Sequence, residues 1–168
     1  VLSAFPDALL VLVPRHPERF NGTAELLRRE GLQFCRRSRG DFPDGQTQVY
    51  LGDSMGELLM LYGAADLAFV GGSFADVGGH NLLEPAAWEH PVLSGPKLYN
   101  FERIAALLEG AGALTIVNNG EGGCPWWCFA KNLGSAVAGL AIFSCDFIKL
   151  HLINGGEPTV HLNNILFA

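Results

Sequence analysis

The stretch FVGGSFADVGGHNLLEPAA, residues 69–87, holds the residue types and spacing best suited to binding chemistry. Its glycines allow a close approach of the backbone to a ligand and positive φ angles. A helix that begins behind them would present unpaired N–H groups and the positive end of its dipole to an anion. Pro85 lacks an N–H and must lie in the first turn, which puts Glu84 near the same helix start.

Glu84 makes a nucleotide a better match for this stretch than a simple phosphate. A carboxylate beside a phosphate repels it, unless the carboxylate faces neutral donors such as ribose hydroxyls. We therefore assign a phosphate to the amides of residues 79–81 and a sugar to Glu84. A glycine-rich turn followed by a capping glutamate has the same spacing, and the residues alone leave that alternative open. Neither GxGxxG nor GxxxxGK[ST] occurs, which argues against dinucleotide dehydrogenases and P-loop NTPases.

Two further loops carry residues suited to binding. In PRHPERF, Arg15 and His16 lie between two prolines, and a rigidly held cation there suits an anionic substrate. A surface loop with an Arg–Glu pair explains this segment equally well. In GDSMGEL, amides after Ser54 could read the edge of a base through the backbone. Ordinary capping of a helix, with Ser54 and Glu57 as a capping box and with Met55 and Leu58 in the core, is the favoured alternative there.

The elements that must position these loops alternate between strand and helix. The predicted strands are 8–14, 32–37, 49–53, 67–72, 91–95 and 113–117. The predicted helices are 21–31, with Gly31 just past its end, 54–66, 81–90 and 100–112, with Asn100 as the cap. This alternation predicts an α/β fold, a Rossmann-like parallel sheet with helices on both faces. Ligands bind such sheets outside the carboxyl ends of the strands, where all three loops lie.

The length of the chain predicts one domain, and its charge content and periodicity change near residue 118. The 168 residues are 49% hydrophobic with a net charge of −6, which argues against a nucleic-acid binder. Four cysteines without paired CxxC spacing disfavour a zinc site or a disulfide framework. No secretory signal or membrane-length apolar run is recognisable, so we expect a soluble chain. The clustered arginines are expected to form a solvated face: Arg28, Arg29, Arg36, Arg37 and Arg39.

The last 51 residues are the unusual part of the chain. They show no clean helical period and too few charges to solvate helix exteriors. Their charged residues are Glu121, Lys131, Asp146, Lys149 and Glu157. We therefore divide the chain into a Rossmann-like domain at 1–117 and an atypical tail at 118–168.

Four segments closely resemble, in the same order, the C-terminal half of 3-deoxy-D-manno-octulosonic acid (Kdo) transferases, glycosyltransferases of lipopolysaccharide biosynthesis. They are LLVLVPRHPERF, GDSMGELLMLYGAADLAFVGGSF, GGHNLLEPAAWEHPVLSGP and NFERIAALLEGAGALTIV. The resemblance covers about residues 5–117 and implies one half of a two-domain GT-B enzyme, with the active site in the cleft between the halves. Residues 1–117 are then a truncated nucleotide-sugar-binding domain whose donor is CMP-Kdo. No metal and no cofactor is implied.

The resemblance also assigns donor-binding roles to nine positions. Arg15 and His16 match a loop facing the donor, and residues 55–57 match a segment near the cytosine. Residues 79–81 match the phosphate-facing helix start. Glu84 matches a ribose-binding glutamate. In chain order the positions are Arg15, His16, Met55, Gly56, Glu57, Gly79, His80, Asn81 and Glu84.

The catalytic base is not among these positions. The resemblance implies that the general base, the site for a lipid A precursor and the membrane contact belong to a missing N-terminal domain. The resemblance also implies that the opening strand of the C-terminal domain precedes Val1 and is absent from this sequence. The intact enzyme is expected at the cytoplasmic face of the bacterial inner membrane, and this fragment alone is expected to transfer no Kdo.

Two other functions stay open, a stand-alone nucleotide-binding module and an inactive remnant whose apolar tail favours aggregation. The tail resembles nothing in the family, and a changed reading frame near residue 118 would explain its composition.

Overall fold

Parallel strands form a single sheet in the part of the chain that the structure describes. The computed structural model describes residues 8–118 and the backbone of residues 140–145. The strands are β1 (Leu9–Pro14), β2 (Phe34–Arg36), β3 (Val49–Leu51), β4 (Leu67–Val70), β5 (Val92–Ser94), β6 (Leu114–Ile116) and β7 (Leu140–Cys145). Their order across the sheet is β2-β3-β1-β7-β4-β5-β6, and every paired strand is parallel to its neighbour. The predicted fold class is confirmed.

Helices connect most of these strands. They are α1 (Phe20–Arg29), α2 (Leu58–Gly63), α3 (Leu83–Ala86) and α4 (Glu102–Gly110), with 3-10 turns at Pro17–Arg19 and Arg37–Arg39. The longest of them, α1, has ten residues. Among the described residues, no helix combines the length and the apolar character that a membrane crossing requires.

Both faces of the sheet are buried. Along β1, Leu12 packs in one cluster with Leu27 of α1, and its neighbour Val11 packs in another cluster with Leu61 of α2. Alternate residues of a strand point to opposite faces, so α1 and α2 cover opposite sides of the sheet. This double burial explains why β1 appears in the sequence as a continuous apolar run and not as an alternating one.

The ends of two helices test the predicted caps. Gly31 follows α1 with a φ of 70°, the left-handed conformation expected just past a helix end. The cap predicted for α4 is wrong. Phe101 takes the N-cap position, and its side chain has no group that could bond the helix start. The Asn100 amide nitrogen instead donates to the Val77 carbonyl 3.0 Å away.

Strand β7 comes from the predicted tail and lies in the middle of the sheet. It pairs with β1 over six residues on one side and with β4 over four residues on the other. The domain boundary at residue 118 stays a prediction, but residues 140–145 belong to the same sheet as the rest. The other tail residues, 119–139 and 146–168, lie outside the described residues, as does the region of a possible frame change.

We expect the sheet to depend on β7. A chain ending at residue 145 keeps every described strand and should unfold cooperatively. A chain ending at residue 139 lacks β7, so β1 and β4 each have an unpaired edge in the middle of the sheet, and cooperative unfolding should be lost. Denaturant unfolding followed by circular dichroism compares the two. Equal midpoints and slopes for both truncations would contradict a structural role for this strand.

Candidate functional site

The loops predicted to bind a ligand emerge at one edge of the sheet. Because all paired strands run parallel, their carboxyl ends lie at the same edge, and the loops after β1, β3 and β4 leave from there. These loops are residues 15–19, 52–57 and 71–82. The topology therefore gathers segments that lie far apart in the sequence.

The closest link between two of these loops joins Arg15 and His80. The Arg15 Nη1 lies 2.9 Å from the His80 Nδ1, across 65 positions of sequence. An arginine can only donate, so the His80 Nδ1 accepts, and the ring is neutral with its proton on Nε2. His80 is only 8% exposed, whereas Arg15 is exposed at the edge. Arg15 and His80, which were predicted to contact the donor substrate separately, thus form a pair. In this pair the buried imidazole orients the exposed guanidinium.

His16, the other residue predicted in the first loop, lies immediately before the turn Pro17–Arg19. Its Nδ1 is 3.8 Å from a carboxylate oxygen of Glu18. The structure therefore leaves His16 beside an exposed carboxylate, and it is Arg15 that reaches across to the loop after β4.

The glycines after β4 are required by the protein's own packing. Gly72 and Gly78 have φ angles of 72° and 86°, so the predicted positive φ is confirmed. A Cβ on Gly72 would lie 2.7 Å from the His80 Nε2, and one on Gly78 would overlap the side chains of Tyr99 and Asn100. Glycine is therefore required at these positions by the His80 ring and by the loop after β5. The sequence had indicated the close approach of a ligand as the reason for the glycines.

The helix start offers less to an anion than the sequence indicated. The Gly79 N–H donates to the Gly72 carbonyl at 3.0 Å, so this amide is already satisfied within the loop. The following helix, α3, has only four residues, which limits its dipole. Pro85 lies in its first turn, as predicted. Positive charge at this point of the edge therefore comes mainly from Arg15.

Asn81 organises the residues at the start of α3. Its Oδ1 accepts from the Leu83 N–H at 3.0 Å, and its Nδ2 donates to the Glu84 Oε1 at 3.1 Å. The side chain that bonds the helix start is therefore Asn81, and the alternative of a capping glutamate is wrong. The bond from Asn81 also fixes one carboxylate oxygen of Glu84 and turns this group toward a neutral donor.

The loop after β3 does not form the expected capping box. Met55 is 66% exposed, so its predicted place in the core is wrong, whereas Leu58 packs against the core as that alternative predicted. Gly56, next to Met55, has a φ of 79°. No side chain caps α2. Instead the Glu57 carboxylate accepts two bonds from Arg37, at 2.6 and 3.0 Å, and another from the Ser54 hydroxyl.

A second arginine–carboxylate pair lies beneath this loop, and no sequence pattern indicated its role. The side chain of Asp53 is fully buried and accepts from the Arg36 Nε at 2.6 Å. It also accepts from the Ser38 N–H at 2.8 Å and the Ser38 hydroxyl at 2.6 Å. Burial acts to raise the pKa of Asp53, but the bonds from Ser38 and Arg36 outweigh burial and lower it. Arg36 and Arg37 are therefore paired structural residues and not part of a solvated face.

The structure is an α/β, Rossmann-like parallel sheet that is covered on both faces, and its carboxyl edge gathers an arginine, a glycine-rich turn and a glutamate. The crystal structure of the C-terminal CMP-Kdo binding domain of WaaA from Acinetobacter baumannii is similar to this chain, at 31% identity and a TM-score of 0.62. The similarity covers 68% of this chain and 75% of that one. No protein-family model matches the chain.

Curated relatives with similar sequences point to the same family as the WaaA domain. The 3-deoxy-D-manno-octulosonic acid transferase of Haemophilus influenzae is 51% identical over 119 residues, and that of Bordetella pertussis is 46% identical over 112 residues. These matches cover 71% and 66% of this chain. The chain belongs to the 3-deoxy-D-manno-octulosonic acid transferase family, as the resemblance predicted. It spans only 28% and 26% of the length of these two relatives.

Replacing Gly78 by alanine tests the packing explanation for the glycine loop. The new methyl group would overlap Tyr99 and Asn100 at a positive φ, so we expect Gly78→Ala to lower the free energy of unfolding by about 1–3 kcal/mol. A Cβ on Gly45 meets no atom within 4 Å, so Gly45→Ala is the matched control and should change stability by less than about 0.5 kcal/mol. Equal denaturation midpoints for the two variants would show that the packing explanation is wrong.

Titration of Glu57 tests the pair of Arg37 and Glu57, the clamp that holds the loop after β3. Bonds from Arg37, and then from Ser54, lower the pKa of Glu57 from its ordinary 4.5 to about 2. Because this pKa is lowered by folding, the stabilisation is complete above about pH 4.5 and disappears as the pH falls through about 2. Carbon-13 NMR of the glutamate carboxyls should show one group titrating this low. Arg37→Ala should return its pKa toward 4.5, and an unshifted titration curve would disprove the pairing.

Proposed function

We propose that this chain is the donor-binding half of a Kdo transferase and that it binds CMP-Kdo at the carboxyl edge of its sheet. Family membership and the similar structure of a CMP-Kdo binding domain support this function. The observation that carries the proposal is the contact of Arg15 with His80, because it holds a cation beside residues 79–81. Since the chain spans about a quarter of the length of its relatives, the activity of the whole enzyme is part of the proposal.

The donor phosphate is assigned to Arg15 and to the amides of His80 and Asn81. Within residues 8–118, no carboxylate lies within ion-pair distance of Arg15, so its charge remains available to an anion. The neutral His80 ring accepts one N–H of the guanidinium and leaves the others to bind phosphate oxygens.

The rest of the nucleotide is assigned to the two neighbouring groups. The Glu84 Oε1 is bound by Asn81, and the second carboxylate oxygen is the one we assign to the ribose hydroxyls. This bond lessens the repulsion that an unpaired carboxylate would exert on a nearby phosphate. Met55 and Gly56, exposed at the tip of the loop after β3, are assigned to the cytosine.

In this proposal the chain stabilises the leaving group and another domain supplies the base. A carboxylate of that domain takes the proton from an acceptor hydroxyl, whose oxygen attacks the anomeric carbon of Kdo. The bond to the phosphate oxygen breaks, and CMP leaves with the electron pair, its charge stabilised by Arg15 and the adjacent amides. Three further features belong to the whole enzyme. They are the acceptor, which is a lipid A precursor, the contact with the membrane, and the location at the cytoplasmic face of the inner membrane.

Titration calorimetry of the 168-residue chain with CMP and UMP tests the proposed donor site. We expect CMP to bind more tightly than UMP, and Glu84→Gln and Arg15→Ala each to weaken CMP binding by about tenfold or more, the effect of losing a charge-assisted hydrogen bond. Glu109→Gln, at an exposed position of α4, is the matched control and should leave binding unchanged.

Three results would contradict this assignment in different ways. Absence of heat with CMP from a folded sample would remove the donor-binding function altogether. Equal affinity for CMP and UMP would favour a generic nucleotide-binding module. Loss of binding in the Glu109 variant as well as in the Glu84 variant would show that the effect is not local to the site.

A further inference from the structure

Two consecutive arginines join the loop after β2 to the loop after β3. Arg36 binds Asp53, and Arg37 binds Glu57. The two carboxylates enclose residues 54–56, so this tip is held at both of its ends. Arg36 is the last residue of β2 and Arg37 begins the turn that follows it, and the sheet holds β2 beside β3.

The Asp53 end is fixed by burial. Its side chain is fully buried, and its carboxylate accepts from Arg36 and twice from Ser38. Breaking such a buried and fully bonded group is costly, so this end of the loop is the more rigid one. The adjacent Gly52 contributes to the same rigidity, because a Cβ there would lie 3.0 Å from side-chain atoms of Leu61 and Val13.

The Glu57 end is fixed by a two-bond pair. Both carboxylate oxygens of Glu57 accept from Arg37, and Oε2 also accepts from the Ser54 hydroxyl. The guanidinium is oriented by these bonds, and the charge of the carboxylate is neutralised. What the loop leaves exposed at the edge is Met55 and the backbone around Gly56, which has a φ of 79°.

We propose that Arg37 is a positioning residue of the nucleotide site, which acts through Glu57 and does not touch the nucleotide. This inference rests on the proposed function and changes the role of Glu57, for which the resemblance implied donor binding near the cytosine. Arg37 holds the tip so that its backbone meets the edge of the pyrimidine. Cytosine presents an amino group there and uracil a carbonyl oxygen, so a displaced tip should lose preference as well as affinity.

The experiment compares CMP and UMP binding by calorimetry in five forms of the 168-residue chain. They are the unmodified chain, Arg37→Ala, Glu57→Gln, the double variant and the control Arg28→Ala. Arg28 is a suitable control because it forms an exposed pair with Glu25, 2.9 Å long, on α1. We expect each single variant at the clamp to lose about tenfold in CMP affinity and to approach equal binding of CMP and UMP. The double variant should lose no more than either single one, because residues of one pair are coupled.

Each other outcome overturns the inference. If Arg37→Ala matches Arg28→Ala, the clamp has no bearing on the site. If Arg37→Ala weakens binding while Glu57→Gln does not, Arg37 touches the nucleotide directly. If the two losses multiply in the double variant, the residues act separately. A folded, unmodified chain that binds no CMP overturns the proposed function, and this inference with it.

Methyl NMR provides a second measurement that does not depend on affinity. The chain has only two methionines, Met55 at the tip and Met60 on α2, so carbon-13 labelling gives two methyl signals. Arg37→Ala should shift or broaden the Met55 signal and leave that of Met60 in place. A variant that changes both signals has lost local structure beyond the tip, and one that changes neither contradicts the positioning role.

Discussion

Parallel hydrogen bonding between strands determines where every part of the candidate site lies. Each pairing in the sheet runs in the same direction, so each strand delivers its following loop to the same edge. The loops then stabilise one another across that edge. Arg15 bonds the loop after β4, and Lys97, after β5, donates its backbone N–H to the Ser73 carbonyl at 2.9 Å. The site is therefore a set of loops that support each other and not one motif on one element.

Charge at this edge follows a consistent pattern. Asp53 and Glu57 are each bound by an arginine, and Glu84 is bound by a neutral amide. Arg15 instead has a neutral imidazole for its partner. Among residues 8–118, the two carboxylates of the loop after β3 are therefore paired with arginines, while no carboxylate lies within ion-pair distance of Arg15. This arrangement favours an anionic ligand without the help of a long helix dipole.

Local patterns in the sequence predicted the elements, but not the contacts between them. Short segments rich in apolar residues predicted all six strands of residues 8–118. The central strands β1 and β4 are continuous apolar runs because both of their faces are buried. The caps predicted at Ser54, from its spacing to Glu57, and at Asn100 are both absent. Both side chains found partners other than the expected helix N–H groups, one on Glu57 and one on the Val77 carbonyl. Such competition depends on residues brought near by the fold, which spacing alone cannot reveal.

Strand β7 shows why the sheet and the site cannot be separated. It lies between β1 and β4, so these two strands are two inter-strand spacings apart, about 9.5 Å. Arg15 follows β1 and His80 lies beyond β4, so their contact must cross the carboxyl end of β7. A long, flexible arginine can span this gap, and the buried imidazole fixes where its head group ends. The width of the central strand thereby sets the separation between the cation and the glycine-rich loop, although β7 itself supplies none of the predicted binding residues.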